Sequence, residues 1–157
     1  MAEQLFLRLR DDTDACSWVV VDGDGRLLQG QRSGVLGDVG AAAAGRRVVL
    51  LVPGLEVVTT KAVLPAASQG RLRQMLPYSL EDTFAEDVDD LAFAIGPKLA
   101  AGAFQVSVVA RSKLDAWLAR LAAADITAQA VYADSDGVPN TPSTLTVIID
   151  GGTGARY

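Results

Sequence analysis

Apolar and polar residues alternate at the start of the chain: Leu5, Leu7 and Leu9 share one face of a segment over residues 4–10, the period of two expected of a half-buried strand. Similar apolar runs at residues 16–22 and 25–31 flank a DGDG turn, so three antiparallel strands are expected to open the fold as a meander. Residues 35–44 suit a short helix. The run RVVLLV at residues 47–52 is unbroken, β-branched and closed by Pro53-Gly54, which suits a central strand covered on both faces. A second set of elements begins with a strand over residues 57–64. Ser68 then caps a helix expected to reach residue 85, with Leu72, Met75, Leu76, Leu80 and Phe84 as its apolar stripe. Pro77 lies inside it and its ring meets the carbonyl of Arg73, a cost of about 3 kcal/mol in a regular interior, so the helix should bend or restart there. Strands over residues 91–95 and 104–110 follow, joined by the GPKLAAG loop. A helix over residues 113–124 comes next, its start signed by Ser112 and Asp115 at capping-box spacing and its apolar face made by Leu114, Trp117, Leu118 and Leu121.

From residue 134 to 143 the composition shifts to Asp, Ser, Gly, Pro and Asn, the signature of a surface loop or hinge, and a boundary is expected there. Residues 145–150 resume as an apolar β-branched strand. The GGTG turn after it leads into ARY, where a paired strand would be starting, so the ending reads as a cut within a further lobe.

Composition narrows the function. The chain has 157 residues, half of them apolar, enough for one good core or a small two-part architecture. Fourteen basic against 19 acidic residues give a formal charge of −5, and no basic cluster stands out; nucleic acid and anionic lipid both need Lys and Arg gathered on one face, so neither is an expected partner. A basic or neutral protein surface fits better. The lone Cys16 cannot form an internal disulfide, and no charged, then apolar segment opens the chain, which makes the cytoplasm the expected compartment. No run of about eighteen or more apolar residues is present to span a membrane.

Candidate catalytic chemistry is nearly absent. With no histidine in the sequence, Ser-His and Cys-His mechanisms and His-ligated metal sites are excluded for these residues, and one cysteine cannot build a zinc cluster. Neither GxxxxGK[ST] nor GxGxxG occurs. The VVVDGDGRLL segment lacks the Glu that a calcium loop needs at its twelfth position, Val35 standing there instead, so a hairpin turn is its reading. VIIDGGTG at residues 147–154 is similar to the phosphate-binding hairpin of actin-like ATPases, where glycines let backbone amides approach a phosphate. The matching first hairpin should follow the first strand, but LRLRDDTDACS has no glycine there and three aspartates that would repel a nucleotide. No catalytic, metal-binding or cofactor-binding residue is therefore expected.

The acidic run Glu81, Asp82, Glu86, Asp87, Asp89 and Asp90 offers two readings, a solvated helix end or a surface for a basic partner. Carboxylates toward the C-terminal half of a helix oppose its dipole, so local helix energetics do not explain them, and these six residues are the candidate partner interface. Trp18 and Trp117 sit in apolar patterns and read as core, as does Cys16.

The segment from Leu50 to Gly96, LLVPGLEVVTTKAVLPAASQGRLRQMLPYSLEDTFAEDVDDLAFAIG, carries a resemblance that covers most of the chain. The VPG after an apolar strand, the VLP ending the next, the LPYSLED helix and the acidic run into LAFAIG resemble, in order and spacing, the cytoplasmic part of general secretion pathway protein L of type II secretion. FQVSVVARSKLDAWLARLAAADI extends the likeness less tightly. The resemblance implies an α/β, actin-like (ribonuclease-H-like) mixed sheet with helices: a first lobe of residues 1–54 and 129–142, an inserted α/β subdomain at 55–128, and the start of a second lobe at 143–157. The unmatched DGVPN loop falls where the family would carry an aspartate-leucine segment. The resemblance further implies a non-enzymatic scaffold without cofactors at the cytoplasmic face of the bacterial inner membrane, held there by a transmembrane helix absent from this sequence. Its implied partners are the N-terminal domain of the secretion ATPase, other inner-membrane platform components and a second copy of itself. Two alternatives come with the same fold, an actin-like ATP-binding protein and a pilus-assembly adaptor that binds a short peptide.

Overall fold

A computed structural model of the chain describes residues 2–10, 13–138 and 141–145. The meander is present as β1 (Gln4–Leu9), β2 (Ala15–Val21) and β3 (Leu27–Val35). Between β2 and β3 the DGDG turn is stabilised by the Asp22 side chain, whose Oδ1 accepts the N–H groups of Asp24 and Arg26, both at 2.9 Å. Gly25 takes φ +79° there, a conformation that suits glycine. The helix expected over residues 35–44 is shorter: β3 runs on to Val35, a 3-10 turn occupies Leu36–Asp38, and α1 is the single turn Gly40–Ala43.

β4 (Arg47–Val52) runs parallel to β1 and is buried on both faces, with Val48, Leu50 and Val52 on one side and Val49 on the other, as its unbroken apolar run predicts. β5 (Val58–Val63), β6 (Leu91–Lys98) and β7 (Ala103–Ala110) form a separate antiparallel sheet in the order β5-β7-β6. A strand without a clear signal, β8 (Ala130–Ala133), closes the larger sheet parallel to β4. That sheet has the order β3-β2-β1-β4-β8, the mixed arrangement expected of an actin-like, ribonuclease-H-like fold.

Two helices differ from their expected bounds. α2 (Gln69–Ser79) begins where Ser68 accepts the Arg71 N–H at 3.4 Å, but it ends at Ser79 instead of reaching residue 85. Pro77 sits in its last turn, Leu80 N–H bonds back three residues to the Pro77 carbonyl at 3.1 Å, and the chain re-forms as a separate 3-10 turn, Glu81–Thr83. α3 (Arg111–Ala123) starts after Ala110, before the Ser112/Asp115 box, which is not used as a cap because Ser112 already lies inside the helix. The Arg111 side chain anchors this end, donating to the carbonyls of Asp89 at 3.0 Å and Leu91 at 2.9 Å.

The core lies in two clusters. Leu5, Leu7 and Leu9 meet Val48, Leu50, Trp18, Trp117 and Leu121 between the five-stranded sheet and α3. Leu72 and Leu76 of α2, and Leu80 just after it, pack on Leu91, Val106 and Val108 of the smaller sheet, with Phe84 and Phe93 edge to face at its border. Both tryptophans are core residues, as their patterns predict. Cys16 is buried too, and this burial, then the carboxylates of Asp38 and Asp14, push its thiol pKa up. The strand expected at 145–150, apart from Leu145, and the VIIDGGTG hairpin lie outside the described residues.

Candidate partner surface

In sheets with parallel strands, ligands enter at the carboxyl ends of those strands. Here β1, β4 and β8 are successively parallel, and their carboxyl ends converge on one carboxylate. Asp134 Oδ2 accepts from Arg8 Nε at 3.0 Å and stands 2.9 Å from Arg8 Nη2, while its Oδ1 accepts the Gly54 N–H at 2.9 Å. Gly54 is required for this approach: a Cβ there would fall 2.6 Å from Ser135 Oγ and 2.9 Å from Asp134 Oδ1. Two cationic N–H groups and a backbone amide thus hold an anion that belongs to the chain itself. Among the described residues, no group of three or more His, Cys, Asp or Glu side chains is placed to hold a metal ion.

The acidic run is not the C-terminal half of a helix. With α2 ending at Ser79, Glu81 and Asp82 occupy the 3-10 turn that follows it, Glu86 a bend, and Asp87 the cap of a second 3-10 turn, Val88–Asp90, that carries Asp89 and Asp90. The conflict with the helix dipole therefore disappears as an argument, and a different division replaces it. Asp87 serves the fold: its Oδ1 accepts the Asp89 N–H at 2.9 Å and its carbonyl accepts that of Asp90 at 2.9 Å. All six carboxylates lie on exposed residues.

Glu86 and Asp90 come together with Glu56, remote in sequence, around a groove of about 480 Å³ at the end of the smaller sheet. Its apolar lining includes Val58, Phe84, Leu91 and Val108. Lys113 pairs with Glu56 at 3.3 Å on the same rim. Glu81, Asp82, Asp87 and Asp89 are not part of this lining. Sequence reasoning missed Glu56 and Val58, because only the register Val58↔Val108 brings them to the loop before β6. A larger apolar cleft of about 660 Å³ lies between the two sheets, lined by Phe6, Leu51, Phe93, Ile95, Trp117 and Tyr132 among others. No helix among the described residues is long and apolar enough to cross a membrane.

Comparison with known proteins agrees with this geometry. Residues 5–152 match the family described as type II secretion system (T2SS), protein L. The chain is similar to the type II secretion system protein L of Dickeya chrysanthemi, 31% identical over 93% of this chain and 37% of that protein. To the protein of the same name from Pseudomonas aeruginosa it is 39% identical over 58% of this chain and 24% of that one, so it spans well under half of either relative. Among solved structures it is similar to the cytoplasmic domain of EpsL, an inner-membrane component of the type II secretion system of Vibrio cholerae. That match has a TM-score of 0.72 and 26% identity over 90% of this chain and 61% of the other. A PilM-PilN type IV pilus biogenesis complex shares the fold, with a TM-score of 0.61 at 18% identity over 84% of this chain and 47% of that one.

Proposed function

The chain belongs to the type II secretion system protein L family, and from that membership we propose that it is a non-enzymatic scaffold: it binds the N-terminal domain of the cytoplasmic secretion ATPase and couples that motor to pseudopilus assembly. It works at the cytoplasmic face of the bacterial inner membrane, tethered by a transmembrane helix outside this sequence, beside other platform components and a second copy of itself. The likeness to an inner-membrane component's cytoplasmic domain supports this placement.

The observation that carries the recruitment reading is the exposed acidic segment Glu81–Asp90. Two short 3-10 turns present carboxylates of which the fold uses Asp87 as a cap, and concentrated exposed charge of one sign steers a partner of the other. The ion pair at the strand ends supports the non-enzymatic part, because the Arg8 and Gly54 donors gathered there hold the chain's own Asp134 carboxylate. The two sheets fit the division into a first lobe of residues 1–54 and 129–142 and an insert of residues 55–128, with α3 anchoring the insert in the core of the lobe through Trp117 and Leu121.

Calorimetric titration with the purified N-terminal domain of the cognate ATPase, at low and moderate salt, tests the reading. Binding should weaken with salt and weaken again when Glu86, Asp89 and Asp90 are neutralised together, Asp87 being spared to keep the loop folded. Absence of binding at both salts, with the domain folded, would refute recruitment through these residues.

A further inference from the structure

The groove beside the acidic segment is lined by apolar side chains that belong to the edge of the second core. Val58 opens β5, stands opposite Val108 in register and remains 53% exposed, with Leu91, Phe84 and Val108 lining the same hollow. A half-exposed valine on a convex surface is unremarkable; here it lines a hollow of about 480 Å³, large enough for a bulky apolar side chain to enter and displace water. The rim selects what accompanies that side chain. Glu56, Glu86 and Asp90 are carboxylates, Lys113 is paired with Glu56, and Arg111 is turned to the backbone carbonyls of Asp89 and Leu91. The larger cleft and the exposed Leu27 and Leu28 of edge strand β3 offer apolar area without such a choice of partner.

We propose that this groove is the anchor pocket of the partner interface: it takes one leucine, phenylalanine or tryptophan of a partner segment whose flanking residues are lysine or arginine. This rests on the recruitment reading and deepens it, separating a pocket that contributes salt-independent affinity from a rim that steers association. Glu81 and Asp82 lie outside the lining and are bystanders to the anchor.

The test titrates the ATPase N-terminal domain into the wild-type chain and three variants at two salt concentrations, with circular dichroism as the control for folding. Val58→Glu places a charge in the hollow at a half-exposed position and should weaken binding by roughly tenfold or more at both salts. Glu86→Gln with Asp90→Asn should weaken binding chiefly at low salt and flatten its salt dependence. Glu81→Gln with Asp82→Asn, outside the lining, should bind like wild type at moderate salt and lose only a small part of the low-salt steering. Wild-type affinity for folded Val58→Glu would overturn the anchor pocket while leaving recruitment intact; a wild-type chain that does not bind at all would remove both.

Discussion

Arg8 and Asp134, 126 positions apart, meet at the carboxyl ends of β1 and β8, and the same carboxylate holds the Gly54 amide at the end of β4. The side chains are 29% and 20% exposed, so this pair is less screened than a surface one. Asp134→Ala leaves a half-buried guanidinium and an amide without this partner, and should cost about 1–3 kcal/mol in urea denaturation. Glu3→Gln removes the more exposed pair with Arg46 and should change stability by less than about 1 kcal/mol. Equal effects of the two would mean that the pair at the strand ends is no more than a surface contact.

Gly54→Ala should act on the same interaction. The added methyl group collides with Ser135 and with the Asp134 carboxylate, so the single variant should cost about 1–3 kcal/mol, and the part due to Asp134 should vanish in the Asp134→Ala background while the Ser135 contact remains. Full additivity in the double-mutant cycle would show that the glycine matters for another reason.

ATP with magnesium should leave the melting temperature of the wild-type chain unchanged, because the segment LRLRDDTDACS offers no glycine for a phosphate hairpin and carries three aspartates that would repel a nucleotide. A concentration-dependent rise of several degrees would favour the actin-like ATP-binding alternative.

Leu76→Ala, in the fully buried stripe of α2, should cost about 2–5 kcal/mol, whereas Tyr78→Ala, two residues on and largely exposed, should cost little. Thermal or chemical denaturation of the two variants gives the comparison.

Cys16 should react with a thiol reagent only as the protein opens. Its raised pKa keeps it a neutral thiol at neutral pH. The sign for stability follows: a folded-state pKa above the unfolded one adds stability that is complete below the ordinary thiol value and is lost as pH rises from there through the raised folded-state value. Cys16→Ala should flatten the alkaline fall in stability.

Much of the fold was legible because it is written in local periodicity: the leucines of β1, the DGDG turn, the closed apolar run of β4 and the Ser68 cap all appear where their chemistry predicts. β8 was missed because AVYA is four residues long, and its strand character comes from pairing with β4 rather than from alternation. The end of α2 was placed too late because the apolar spacing continues to Phe84, which reaches the same core from beyond the helix end at Ser79. The acidic positions were visible in the sequence, but their grouping was not. Glu56 joins Glu86 and Asp90 through strand register, and Asp87 leaves the set because its side chain is committed to a turn.

α3 gives the acidic loop a mechanical footing. Its first residue, Arg111, grips the carbonyls of Asp89 and Leu91, and two and three turns later Trp117 and Leu121 are embedded under the five-stranded sheet. A motor docked on the loop would pull in series with that helix, so force would enter the protein through a rigid strut seated in its main core and not through a hanging tether.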